Sequence, residues 1–231
     1  MSNYETVTII LSEPGTDYNP SSALIRLPAL LAKLDEAKAI VAAVNEAQGV
    51  KTLRTDELQT AFEDFDAYIV DIKRTVAVEL DDEALNHDLQ SIVNRGRRPA
   101  PKAKPSADAG PPARTRSISR GTYDDRIAIL ADIHALLKAR PEYRPTGADA
   151  EFSTEAIGDR VAFLTAALNA ARAAEAALGN LQEARARTLY DEKTGLVKLV
   201  KLVKTHFSRR GGRQKDTYRR LVALEFRKFG A

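Results

Sequence analysis

Apolar residues recur every three or four positions over most of this chain, a spacing that predicts helices rather than strands. Leu30, Leu34, Ala37, Val41 and Val44 step by 4, 3, 4 and 3 residues and share one face. Pro28 falls in the first turns of that helix, where proline is best tolerated, and Gly49 is expected to end it. A second helix is predicted from Thr55, with Leu58, Phe62, Phe65, Ile69, Ile72 and Val76 in step. A shorter third runs from about Asp82 to Gly96 and carries Leu85, Leu89 and Ile92. The start of the chain, Tyr4 to Leu11 (YETVTIIL), reads as a short extended segment before a turn at Pro14-Gly15.

Five of the ten prolines lie between Pro99 and Pro112, among Ala, Lys, Arg and Ser. Proline without a backbone N–H cannot propagate a helix, so this stretch reads as a linker. Helix resumes at Thr122-Tyr123-Asp124-Asp125, with Ile127, Leu130, Ile133 and Leu137 on one face, and stops before Pro141. A long helix carries Ile157, Val161, Leu164, Leu168, Ala171 and Leu178, with a kink or turn expected at Gly179-Asn180. Leu189, Leu196, Val200, Val203 and Phe207 follow, and after Gly211-Gly212 a last helix carries Leu221, Val222, Phe226 and Phe229.

The two stretches of helix echo each other. Tyr18-Asn19-Pro20-Ser21 and Tyr143-Arg144-Pro145-Thr146 stand at an offset of 125 residues, each ahead of a long helix. Val70 to Leu80 (VDIKRTVAVEL) and Val197 to Phe207 (VKLVKLVKTHF) share apolar positions at an offset of 127. A duplication with insertions and deletions is the simplest reading; likeness between unrelated amphipathic helices is the alternative. The expected organisation is a first helical half over 1–96, a basic linker over 97–120 and a second helical half over 121–231. The expected fold is all-α: an elongated antiparallel bundle of two diverged repeats. The 3-4 stepping favours left-handed, near-parallel packing.

Composition narrows the chemistry. The chain has no cysteine, which excludes disulfides, cysteine-ligated metals and thiol nucleophiles. Aromatics make up 6% and there is no tryptophan, so the core rests on Leu, Val, Ile and Ala, which suits helix packing. Residues 4–11 lack a basic leading segment, and no apolar run approaches the ~20 residues that span a bilayer, so a soluble cytoplasmic protein is expected.

The net charge of +3 conceals segregation. Arg95, Arg97, Arg98, Lys102, Lys104, Arg114, Arg116 and Arg120 face only Asp108 within 94–120. Lys198, Lys201, Lys204, Arg209, Arg210, Arg213, Lys215, Arg219 and Arg220 crowd the C-terminal stretch, so the remainder is acidic. These are the candidate partner-binding residues, the first set apart from Arg120 as linker contacts and the second as a basic surface. Lys198, Lys201 and Lys204 recur every third residue and fan over about 120° of a helix. Such a face can meet nucleic acid through phosphates or an anionic membrane, or be only the wet side of a bundle helix. Arg95-Gly96-Arg97-Arg98-Pro99 resembles the core of minor-groove hooks, but Arg98 interrupts that motif.

Catalytic and metal constellations do not emerge. His87, His134 and His206 are scattered, and only Glu83 and His87 share a face, whereas a di-metal bundle needs two Glu-x-x-His pairs and further glutamates. Glu63, Asp64 and Asp66 lie between apolar stripe positions and read as a solvated face. Asp81-Asp82-Glu83 and Asp124-Asp125 sit at helix starts, where the macrodipole favours them. There is no phosphate loop or nucleophile elbow. No enzymatic activity and no cofactor are expected.

Ser119-Arg120-Gly121-Thr122-Tyr123-Asp124-Asp125-Arg126, Tyr143-Arg144-Pro145 and Leu189-Tyr190-Asp191-Glu192-Lys193-Thr194-Gly195-Leu196-Val197 together resemble a group of uncharacterised bacterial proteins. The resemblance implies two helical halves about a central linker and carries no activity with it. This chain departs from the group in the Arg and Lys of its linker and C-terminus. The expected role is a non-enzymatic, self-assembling structural or interaction protein. Its expected partner is another copy or another protein. Nucleic-acid binding through the basic segments is the alternative, and a membrane surface ranks last.

Overall fold

The computed structural model describes residues 2–14, 16, 18–97, 122–209 and 215–226. Among these the protein is all-helical, without strands. The helices are α1 (Ser2–Ser12), α2 (Leu27–Ala61), α3 (Phe65–Leu80), α4 (Glu83–Arg97), α5 (Tyr123–Lys138), α6 (Thr154–Tyr190), α7 (Leu196–Ser208) and α8 (Lys215–Ala223). Short 3-10 turns over Ala23–Ile25 and Gly147–Phe152 precede the two longest helices.

Several boundaries differ from the sequence expectation. The start of the chain is helix, not an extended segment. Its β-branched run favours a strand locally, but Val7, Ile10 and Leu11 lie three and four residues apart on one helical face and are buried. Gly49 does not end α2, and no new helix begins at Thr55: one helix of 35 residues runs to Ala61. Gly179 likewise sits inside α6, of 37 residues. A glycine costs about 1 kcal/mol in a helix interior, and long flanks of Ala, Leu, Lys and Glu outweigh it. By length and composition alone α6 could cross a membrane, contrary to the count of consecutive apolar residues, because its alanines extend the apolar stretch past isolated charges.

The real break after α2 lies at Phe62-Glu63-Asp64, where Phe62 and Glu63 bond back to Gln59 and Thr60 in tight turns. Arg160 donates to the carbonyl of Ala61 at 2.9 Å and to the Asp64 carboxylate, which places a cation on the negative end of α2. Asp81 stops α3 with φ of 41°, a left-handed conformation that Asp tolerates better than most residues. The Asp82 carboxylate then accepts the N–H groups of Ala84 and Leu85, at 2.9 and 3.1 Å, to start α4. Thr122 caps α5 by accepting from the N–H of Asp125 at 3.2 Å.

The chain divides into two compact units, and they do not follow the sequence halves. A terminal unit comprises Met1–Thr52 and Ala173–Ala231, and a central unit comprises Leu53–Arg172. In the terminal unit Val7, Ile10, Leu11, Ile25 and Leu30 pack with Leu199, Val200, Val203, Phe207 and Leu221. A smaller cluster beside them joins Leu34 and Ala37 to Leu196. There α2 and α6 run antiparallel, tied by Thr188 donating to Glu36 at 3.0 Å and by Lys51 facing Glu175 at 4.0 Å.

The central unit has one larger core. Leu58, Phe62, Phe65, Ile69, Ile72, Val76, Leu85 and Leu89 meet Leu130, Ile133, Leu137, Ile157, Leu164 and Leu168. Each buried side chain of this size contributes roughly 1.5–3 kcal/mol of transfer free energy, so these clusters are what hold each unit. Both units combine the entry segment of one sequence half with the exit segment of the other.

Candidate interaction surfaces

The two Tyr-x-Pro motifs explain themselves structurally. Tyr143 is 4% exposed, and its hydroxyl donates to the carbonyl of Phe152 at 2.8 Å, closing the 3-10 turn ahead of α6. Tyr18 donates in the same way to Ile25, at the end of the turn ahead of α2. Burial pushes both phenols well above the ordinary tyrosine range. Pro20 and Pro145 are buried beneath these loops. The motifs are latches for long helices.

The element from Tyr190 to Val197 is equally structural. The Asp191 carboxylate accepts the backbone N–H groups of Thr194 at 2.7 Å and Lys193 at 2.9 Å, and the Thr194 hydroxyl at 3.0 Å. These bonds hold its carboxyl below the ordinary aspartate range. A Cβ on Gly195 would sit 2.4 Å from the backbone nitrogen of Asp191, so the turn from α6 into α7 closes only over glycine.

The basic C-terminal residues divide into those spent on the fold and those on the surface. Lys204 donates to the carbonyl of Leu224 at 2.7 Å and lies 5.1 Å from the Phe226 ring centre, and burial lowers its ammonium from the ordinary lysine range. Arg220 grips Glu13 with two bonds, at 2.5 and 2.6 Å, which hold the Glu13 carboxyl down and its own guanidinium up. Lys198, Lys201, Arg209, Lys215 and Arg219 are exposed. Lys198 and Lys201 border a cleft of about 440 Å³ that also carries Asp191, Glu192 and Phe226, so that surface has mixed charge. Val222, expected in the apolar face of the last helix, is 48% exposed. It shares a face of α8 with Lys215 and Arg219, which lie seven and three residues before it.

Arg210 and Arg213 lie outside the described residues, as do Arg98, Lys102, Lys104, Arg114 and Arg116. Arg95 and Arg97 are described by their backbone alone, as the last turn of α4. His87 is exposed on α4, whereas His134 packs under Gly158, where an added Cβ would meet its ring at 3.1 Å. His206 stacks edge-on against Tyr18 and Phe207.

The central unit holds a groove the sequence did not announce. About 910 Å³ in volume, it is floored by Leu53, Ala61, Phe163, Ala166, Ala167 and Ala170. Asp56, Glu57, Glu63 and Asp64 rim it, with Arg54 and Arg160. Arg54 pairs with Glu57 at 2.6 Å and Arg160 with Asp64. Asp56 and Glu63 leave the rim acidic. Leu53 is 54% and Phe163 55% exposed. Both fall between the stripe positions of their helices, which is the one sequence signal they carry. Asp66, the remaining member of the predicted solvated cluster, is exposed and lies 3.7 Å from Arg126.

The chain matches no protein-family model, and neither a curated protein nor a solved structure is significantly similar to it.

Proposed function

We propose that this is a non-enzymatic interaction protein that presents helical surfaces and associates with further copies of itself. The observation that carries this reading is the groove of the central unit, an apolar floor with an exposed Phe163 inside an acidic rim. A large exposed aromatic over small alanines marks a place where another helix can lie close. The complementary element is the outer face of α8, where exposed Val222 is flanked by Lys215 and Arg219. One copy offering α8 to the groove of the next forms a heterologous contact, which propagates unless its rotation closes a ring. A soluble, cytoplasmic protein built from two diverged repeats belongs to the same proposal.

Size-exclusion chromatography with light scattering across a salt series tests it. Mass should rise with concentration at low salt and fall as salt screens the rim, and Phe163→Glu should abolish the rise. A strict monomer at high concentration and low salt overturns the reading. Nucleic-acid binding, the alternative, draws on exposed Lys198 and Lys201 but has lost Lys204 and Arg220 to packing. Fluorescence anisotropy separates the two: a nucleic acid that binds at low salt, and is lost on charge reversal of Lys198 and Lys201, would favour it.

A further inference from the structure

The way the two cores are assembled carries an inference that does not depend on the groove. Residues 1–97 supply α1 and the first part of α2 to the terminal unit, and the end of α2 with α3 and α4 to the central unit. Residues 122–231 mirror this: α5 and the first part of α6 enter the central unit, and the rest of α6 with α7 and α8 enter the terminal unit. Neither stretch closes either core alone.

Within the terminal unit Tyr18 stacks on Phe207 with ring centres 5.5 Å apart, and Glu13 holds Arg220. Within the central unit the Tyr123 ring lies 4.7 Å from that of Phe62, and the Tyr68 hydroxyl donates to the Glu151 carbonyl at 3.1 Å. Apolar burial, ring packing and ion pairing therefore all join one stretch to the other in both units. The covalent connection adds effective concentration.

We infer that residues 1–97 and 122–231 are each other's binding partners as separate polypeptides, and that the same surfaces accept the complementary stretch of a second copy. Each stretch presents two apolar faces, and the partner that fits them is a helical array with the matching pair of faces. The stretches exchange long helical arms in the manner of a swapped dimer whose two subunits have been fused.

The test starts from the intact chain carrying Phe163→Glu, so that failure of the self-association reading cannot confuse it. A protease site is inserted between Ala107 and Asp108, and the folded protein is cut. In native buffer both fragments should elute as one species with the mass of the uncut protein, 25.3 kDa before the insertion. The thermal midpoint of the cut protein should fall by several degrees on hundredfold dilution while that of the uncut protein holds still. Fragments that elute apart, or a cut-chain midpoint indifferent to dilution, overturn the inference. Cut chains with and without isotope label, equilibrated together at their midpoint, should give hybrid pairs in native mass spectrometry. Unmixed pairs overturn the acceptance of a second copy.

Discussion

The terminal and central units contain matching sets of elements, and the central unit gathers its own into a single core. Each contains an opening helix, a tyrosine-latched 3-10 turn, parts of both long helices and two closing helices. In the central unit the closing helices α3 and α4 have 16 and 15 residues and feed a single core. In the terminal unit α7 and α8 have 13 and 9, and the core falls into two clusters. The tyrosine latch follows suit, with Tyr143 buried and Tyr18 partly exposed. Both units carry polar clamps at their edges, Arg220 on Glu13 and Lys204 on Leu224 in the terminal unit, Arg160 on Asp64 and Tyr68 on Glu151 in the central one.

The difference is open to direct attack. Removing a fully buried side chain has the largest effect: Ile133→Ala in the central unit should cost about 2–5 kcal/mol and Phe207→Ala in the terminal unit about 3–5 kcal/mol in denaturant unfolding. Hydrogen exchange separates them. Phe207→Ala should speed exchange in α1, α7 and α8 while α3, α4 and α5 stay protected, and equal loss in both units would erase the distinction. Gly195→Ala comes next, at about 1–3 kcal/mol, because the turn into α7 must open around the new methyl.

The latches follow at about 1–2 kcal/mol, the cost of leaving a carbonyl without its donor. Tyr143→Phe should exceed Tyr18→Phe in thermal melts, and the reverse order would mean that exposure does not govern the latch. These phenols also set an alkaline limit. Burial raises Tyr4 from 10 to about 12, and Tyr18 and Tyr143 are raised too, so folding favours the neutral form. Their contribution is complete below pH 10 and drains away as pH climbs through 10 to 12. The melting temperature should fall over that window, and less steeply in Tyr143→Phe. The smallest effects are gains. Gly49→Ala and Gly179→Ala, with open space around the added methyl, should stabilise the terminal unit by about 0.5–1 kcal/mol. Gly158→Ala, which presses on His134, should not.

Periodicity marks which face of a helix is buried and is silent on what buries it. Leu58, Phe62, Phe65, Ile69, Ile72 and Val76 were legible as a stripe, and all are at or below 5% exposure. Nothing in their spacing told that α5 and α6 would cover them, because any apolar face of similar width satisfies the same pattern. Helix ends were legible where a cap does the work, as at Asp82 and Thr122, and misread where glycine alone was the signal, as at Gly49 and Gly179. Of the basic stripe, Lys198 and Lys201 are exposed and Lys204 is not. Lys204 was misassigned to the wet side because the carbonyl of Leu224 comes from the segment after α8, twenty residues downstream. The groove escaped notice because Leu53 and Phe163 lie on different helices, and only the fold makes them neighbours.

The interleaving of the stretches also sets a clock. Val7 and Ile10 share a core with Val203 and Leu221, some two hundred residues downstream. At 5–20 residues per second of synthesis, the first of these side chains waits roughly 10–40 s for the last. During that interval α1 is a nascent segment with a greasy face and no match. The central unit closes earlier, once α6 has emerged as far as Leu168. Along this sequence the central unit therefore has all its core segments before the terminal unit does, and α1 waits longest for its cover.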